Sequence, residues 1–242
     1  MILGAIPARW GATRFPGKAL AEIGGRPLIA WVVEAALEAR ALDSVVVVTD
    51  RAGIARAAEA AGGRAVVIDR EAASGTDRIA QLLAVDAPSA GARVVVNIQG
   101  DEPLLEPAAI DAAVTGLEAD PEADIATLAR PIRSGESVED LDLVKVAVAD
   151  SGRALYFSRA PVPHGAAGRI HIGLYAYRRD AFDRFVSSPP TRLEKAERLE
   201  QIRALELALR IRVVDFDSRS IGVDVPGDVR RAEAALSRIP RR

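Results

Sequence analysis

The 242-residue chain has no cysteine, which excludes disulfides, thiolate metal sites and thiol nucleophiles. It also lacks long apolar runs. The longest fall far short of the ~20 residues needed to span a bilayer, so no membrane partner is expected. Charge of one sign is missing too, with 32 Lys+Arg against 34 Asp+Glu and a net charge of −2. That balance gives no bulk attraction to nucleic acid, and any basic site must be local. Met1 leads into an apolar run without a basic n-region and h-region, so no secretory signal is expected. A cytoplasmic location is compatible with these absences. The composition, 49% hydrophobic and 27% charged, suits a globular domain with a substantial core.

What stands out is the first stretch. An apolar run over 2–6, long enough for one buried strand, is followed by Arg9, Arg14 and Lys18, interleaved with Gly11, Pro16 and Gly17. Three fixed cations on a glycine-containing loop after a strand describe an anion site, because small residues let backbone N–H groups approach a ligand. Open α/β sheets bind ligands at such strand ends. An ordinary basic turn is the plainer alternative.

Along the first hundred residues strands and helices alternate. Strands are expected over 44–49, 65–68 and 93–99, all rich in β-branched residues. Helices are expected from Arg26-Pro27 to about residue 39, after Asp50 as a cap until Gly62-Gly63, and over 75–85. This rhythm predicts a parallel sheet with right-handed crossovers. After Leu117 it changes, with strands over 125–129, 144–149, 154–158 and 170–177 and a hairpin turn at Asp150-Ser-Gly152. Helices follow over 179–186 and 194–209, then a strand over 212–216 and a closing helix from Pro226 to about 236. The reading is a single α/β domain over 1–242 with a mixed, mostly parallel sheet. It comprises a nucleotide-binding half to about 120, a small antiparallel lobe over about 121–215, and a closing helix over 216–242.

Three further stretches could carry chemistry. Asn97-Ile-Gln-Gly-Asp-Glu-Pro103 puts Asp101 and Glu102 after a glycine at a strand end, where a carboxylate can sit beside a phosphate. Mg²⁺ takes one or two carboxylates and fills its shell with phosphate and water. Ile221-Gly-Val-Asp224 repeats the device. Asp101 and Asp224 are therefore candidate Mg²⁺ ligands, against the alternatives of an acidic helix start and an N-cap. Ser74-Gly-Thr-Asp-Arg78 runs a small-residue loop into a helix, presenting N–H groups and Arg78 to a nucleotide or simply starting the helix. Together these stretches describe a site for a nucleoside triphosphate and Mg²⁺.

The series Ile6-Pro-Ala-Arg, Thr13-Arg-Phe-Pro-Gly-Lys18, Val48-Thr-Asp50, Ser74-Gly-Thr-Asp-Arg78, Asn97-Ile-Gln-Gly-Asp-Glu-Pro103, Tyr156-Phe-Ser-Arg159, His171-Ile-Gly173, Leu199-Glu-Gln201 and Gly222-Val-Asp224 resembles the CMP-KDO synthetases, the 3-deoxy-manno-octulosonate cytidylyltransferases. The resemblance implies a Rossmann-like nucleotidyltransferase. In the family's reaction the anomeric hydroxyl of a sugar acid attacks the α-phosphorus of CTP. It implies that Arg9, Arg14 and Lys18 hold the triphosphate, that backbone near Ala8 reads cytosine, and that Ser74, Arg78 and Gln99 help bind the nucleoside. The resemblance also implies that Asp101 and Asp224 hold Mg²⁺, with Arg9, Lys18, Asp101 and Asp224 as the catalytic set. It implies further that Arg159, His171, Glu200 and Gln201 face the acidic acceptor and that the chain forms a homodimer. For the acceptor set the residues themselves leave other readings open. Arg159 can pair with a surface acid, His171 can be a satisfied core histidine, and Glu197 with Gln201 can lie on a solvated helix face alongside Glu194–Arg198 and Glu206–Arg210 pairs. Trp10, Tyr175 and Tyr177 read as packing residues. The segment 160–170 is shorter than is usual in the family, which leaves a small phosphonate such as phosphonoformate as an alternative acceptor. A nucleotide-binding regulatory protein without catalysis and a uridylyl- or guanylyltransferase are the other readings.

Overall fold

The computed structural model describes residues 1–11, 14–165 and 168–237. Thr13 of the basic loop, Ala166 and Ala167 of the short segment, and the last residues of the 216–242 stretch lie outside them. The chain divides into two compact units. One is Met1–Asp111 with the chain from Arg219 onward; the other is Ala112–Ser218.

In the first unit β1 (Ile2–Ala8) leads through a 3-10 turn at Lys18–Leu20 to a small hairpin of β2 (Glu22–Ile23) and β3 (Arg26–Pro27). Then come α1 (Leu28–Glu38), β4 (Ser44–Thr49), α2 (Ala52–Ala60), β5 (Arg64–Val67), α3 (Gly75–Val85), α4 (Ala87–Ala90), β6 (Val94–Asn97) and the first turn of α5 (Pro107–Ala119), whose remainder belongs to the second unit. β1 pairs in parallel with β4 and β6, and β4 pairs with β5, giving the order β6-β1-β4-β5. Leu3, Ala5, Ile6, Val46, Val47, Val48, Val95 and Val96 are fully buried, as expected of strands covered on both faces. The strand order reverses between β1 and β6, so their carboxyl ends border a switch-point crevice.

The second unit is rich in antiparallel pairing. It comprises β7 (Ile125–Pro131), β8 (Lys145–Val148), β9 (Ala154–Ser158), β10 (Arg169–Arg178), α6 (Arg179–Ser187), α7 (Arg192–Glu197), α8 (Gln201–Glu206) and β11 (Ile211–Asp215). β10 runs antiparallel to β7 and β8, β8 antiparallel to β9, and β11 parallel to β7. The Asp150-Ser-Gly152 turn joins β8 to β9, with Gly152 N–H donating to Ala149 O at 2.7 Å. Tyr177 packs against Phe182 and Phe185 in the core. The first unit then closes with α9 (Pro226–Leu236).

Three sequence expectations need correcting. Arg26-Pro27 forms a strand rather than the first helical turn; α1 begins after it. The helix expected over 194–209 is two helices, because Arg198 adopts φ 56° between α7 and α8. The Glu194–Arg198 and Glu206–Arg210 pairs of the alternative solvated-face reading are not made among the described residues. Glu194 instead receives Nη2 and Nε of Arg203 at 2.6 and 2.8 Å in the interior, Arg210 pairs with Glu122 at 2.7 Å, and Glu206 accepts from Thr191. Burying Glu194 against Arg203 and capping α7 with Thr191 favour a fold-back over one straight helix. Third, Asp50 does not cap α2, whose N-cap is Arg51; its carboxylate accepts from Trp10 N–H at 2.9 Å.

Candidate active site

A cleft of about 250 Å³ opens in the first unit at the carboxyl ends of β1 and β6. It is lined by Pro7, Ala8, Arg9, Arg14, Lys18 and Ala19 after β1, by Gln99, Gly100 and Asp101 after β6, and by Ser74, Gly75, Arg78 and Asp224. Every nucleotide-side residue expected from sequence therefore falls on one surface. Gly100 is needed for its missing side chain: a Cβ there would lie 2.8 Å from Pro7 O, so only glycine lets β6 exit against β1.

Lys18 is the centre of charge. Its Nζ lies 2.5 Å from Asp101 Oδ2, 3.4 Å from Asp224 Oδ1 and 3.3 Å from Val223 O. Arg14 meets the other oxygen of Asp224 at 2.9 Å. The 221–224 loop is tied to the strand end by Val223 N–H donating to Asp101 O at 2.9 Å. Neither plainer reading of the two acids holds. α5 begins at Pro107, beyond Asp101, and the N-cap of α9 is Val225, with Asp228 accepting from the N–H groups of Asp224 and Val225 at 2.9 and 3.0 Å. Asp224 thus keeps its carboxylate for the cleft. Arg9 is exposed on the rim and forms no hydrogen bond or ion pair among the described residues.

This donor set fits Mg²⁺. Two carboxylates already converge on one cation, and their oxygens are the hard donors the ion prefers. Mg²⁺ fills the rest of its shell with phosphate oxygens and water, so one or two carboxylates are enough to seat it. Glu102 stands beside them, its Oε2 accepting from Ser220 Oγ at 2.7 Å. Burial pushes this carboxyl up to about 7, and the charges of Asp101 and Asp224 add to the rise while Ser220 opposes it.

Ser74 follows the plainer reading in part. Its Oγ caps α3 by accepting from Asp77 N–H at 3.1 Å while the residue lines the cleft. Arg78 is buried, donating from Nη1 to Ile68 O at 3.1 Å and from Nη2 to Arg70 O at 3.4 Å, with Asp50 Oδ2 4.0 Å away. Its Nε is buried without an acceptor among the described residues. Gln99 Nε2 reaches Asn97 Oδ1 at 3.4 Å, and Asn97 donates to Thr76 Oγ1 at 3.2 Å, which orients the end of β6.

The acceptor candidates all lie in the second unit. Arg159 is half-buried; its Nη1 donates to Leu141 O at 3.0 Å and its N–H points to Glu197 Oε2 at 3.4 Å. His171 packs edge-on against Phe157 and beside Tyr175, and its Nε2 lies 2.9 Å from Thr127 Oγ1. Thr127 has Leu174 O at 2.8 Å and Ile172 O at 3.2 Å to take its one proton. It therefore accepts from His171 Nε2–H and leaves the lone pair on Nδ1. Burial pushes this imidazole down to about 3. Gln201 is buried at the start of α8, and Glu200 is the residue before it. No hydrogen bond or ion pair joins Arg159, His171 and Gln201 to one another among the described residues.

Sequence reasoning undervalued two acids. Glu197, read as one of a solvated face, accepts from Tyr156 Oη at 3.1 Å and from Ser158 Oγ at 3.0 Å, so it organises the end of β9. Asp50 fastens the main chain at Trp10, on the loop that carries the cations. The signal was position and not periodicity: Asp50 ends the Val48-Thr-Asp50 motif, and Glu197 lies two residues before Leu199-Glu-Gln201. Trp10 is exposed, its ring lying over Gly17 instead of in the core.

Residues 3–211 match the family model described as cytidylyltransferase. A 3-deoxy-manno-octulosonate cytidylyltransferase of Anaeromyxobacter dehalogenans strain 2CP-1 is 50% identical over 238 residues, covering 96% of both chains. One of Bdellovibrio bacteriovorus is 46% identical over 246 residues, covering 98% of both. The solved structure of CMP:2-keto-3-deoxy-manno-octonic acid synthetase complexed with CTP superposes with a TM-score of 0.90 at 34% identity, over 98% of this chain and 99% of that one.

Proposed function

The chain belongs to the 3-deoxy-manno-octulosonate cytidylyltransferases, a family of nucleotidyltransferase enzymes, and from that premise we propose that it joins CTP to KDO. In that reaction the anomeric hydroxyl gives up its proton to solvent as its oxygen bonds to the α-phosphorus and the α–β phosphoanhydride bond breaks, giving CMP-KDO and pyrophosphate. The observation that carries the reading is the meeting of Lys18 with Asp101 and Asp224 in a cleft rimmed by Arg9 and Arg14.

Phosphoryl transfer demands alignment and charge neutralisation more than covalent help, and these residues supply both. Arg9, Arg14 and Lys18 bind the β- and γ-phosphates and neutralise the leaving pyrophosphate. Asp101 and Asp224 hold Mg²⁺, which when bound supplies charge neutralisation at the phosphates. Lys18, freed from the carboxylates, turns its ammonium to a phosphate oxygen. The Ala8 main chain, Ser74, Gln99 and the open Nε–H of Arg78 orient the nucleoside. In the second unit Arg159 takes the acceptor carboxylate, His171 offers Nδ1 to a sugar hydroxyl, and Glu200 and Gln201 complete the polar contacts. A homodimer and a cytoplasmic location belong to the same reading, testable by analytical ultracentrifugation and cell fractionation. No described helix is long and apolar enough to cross a membrane.

The relatives named above carry KDO in their names, and none of these observations favours a phosphonate acceptor or loss of catalysis. The test is chromatographic detection of CMP-KDO from CTP, Mg²⁺ and KDO, with phosphonoformate and the other nucleoside triphosphates in parallel. Product with phosphonoformate but not KDO would replace the acceptor, and product with UTP or GTP in preference to CTP would replace the donor.

A further inference from the structure

Lys145, on β8, has no solvent-exposed surface, yet among the described residues its ammonium makes no ion pair with a carboxylate. Its Nζ donates to three main-chain carbonyls: Asp140 O at 2.8 Å, Leu143 O at 2.7 Å, and Arg159 O. An ammonium has three N–H groups and no acceptor, so the match is complete; a neutral amine would leave one carbonyl facing a lone pair. Burying an unpaired lysine is costly, and carbonyl oxygens are what hold it here. The stem is closely packed as well, since a Cβ on Gly168 would come within 3.2 Å of its Cγ.

The three bonds converge on one residue. Two of them fix the 140–143 turn, and the carbonyl of Leu141, between those anchors, accepts Nη1 of Arg159 at 3.0 Å. The third grips the carbonyl of Arg159 itself. The arginine is thus held at its main chain directly and at its guanidinium through a turn that the same ammonium organises. Glu197 holds the opposite side through Ser158 Oγ and Arg159 N–H. A lysine serving only to fill the core would have no reason to tie both ends of this residue.

We infer that Lys145 is a positioning residue for Arg159, setting the guanidinium that receives the acceptor carboxylate. The inference rests on the proposed role of Arg159. A misplacement of about 1 Å in such a group can cost roughly a hundredfold.

Lys145→Met removes the donors at similar length, and Lys145→Gln is a milder variant that retains two N–H groups should the first fold poorly. Steady-state kinetics with CTP and KDO, thermal melting, and the double variant Lys145→Gln/Arg159→Ala together form the test. The expected result is a KM for KDO raised about tenfold or more with KM for CTP nearly unchanged, and a double variant no worse than Arg159→Ala alone. Equal changes in both KM values, or losses that multiply in the double variant, would make Lys145 a general structural residue and overturn the inference. A raised KM for KDO in Arg159→Ala beside an unchanged one in both Lys145 variants would overturn it alone. An unchanged KM in Arg159→Ala would overturn the reading of Arg159 and this inference with it.

Discussion

Lys18 and Asp101, 83 residues apart in the chain, meet with Nζ and Oδ2 2.5 Å apart at the mouth of the cleft. The contact joins the basic loop after β1 to the acidic turn after β6 and fixes the polarity of the site, with cations on one strand end and carboxylates on the next. Asp101→Asn keeps the shape and removes the charge. If Asp101 holds the metal as proposed, turnover should fall by at least about a hundredfold with the melting temperature nearly unchanged. Full activity in that variant would contradict the site.

Asp224 and Asp228, four residues apart, are expected to divide chemistry from stability. Asp228 accepts two main-chain N–H groups at the start of α9, so Asp228→Ala should cost about 1 kcal/mol, read by denaturant titration, with modest loss of turnover. Asp224→Ala should show the opposite pattern, with small stability loss and a large rise in the Mg²⁺ concentration needed for activity.

Arg203 and Glu194 form an ion pair inside the second unit, their side chains 7% and 9% exposed, with the guanidinium over the Phe185 ring. Arg203→Met strands a buried carboxylate and should destabilise by about 3–5 kcal/mol in urea unfolding. Adding Glu194→Gln should recover part of the loss; full additivity of the two would mean the pair is not coupled.

How much of this was legible in the sequence follows from what is local. The β-branched strands and the Gly62-Gly63 helix end were readable because burial and backbone chirality leave few alternatives for such segments. Gly62 takes φ 87°, with its N–H on Glu59 O and that of Gly63 on Ala58 O. The convergence of Lys18, Arg14, Asp101 and Asp224 was readable only because several weak motifs occurred in order. The break at Arg198 was not, since helical periodicity runs through it and the deciding contact, Glu194 with Arg203, is tertiary. Lys145 was invisible for the same reason: its three partners are carbonyl groups, which every residue carries.

His171, with its buried imidazole, is expected to make stability depend on pH. Its folded imidazole is pushed down to about 3, whereas an unfolded one titrates near ~6.5. Between those values the unfolded chain binds the extra proton, so this contribution is complete above ~6.5 and is lost as pH falls toward about 3. Glu102, held up to about 7, gives the opposite slope between its ordinary range and neutrality. Comparing wild type with His171→Phe isolates the first effect: the drop in melting temperature from about pH 7 to about pH 5 should shrink in the variant. An undiminished drop would assign the acid sensitivity elsewhere.

The central claim is that Asp101 and Asp224 hold Mg²⁺ against a triphosphate gripped by Arg9, Arg14 and Lys18. Continuous measurement of pyrophosphate release from CTP and KDO, with Mg²⁺ and then with EDTA, tests it most directly. The account predicts KDO-dependent release with Mg²⁺, none with EDTA, and full recovery when Mg²⁺ is restored. Undiminished release in EDTA, or none from CTP and KDO with Mg²⁺ present, would contradict it.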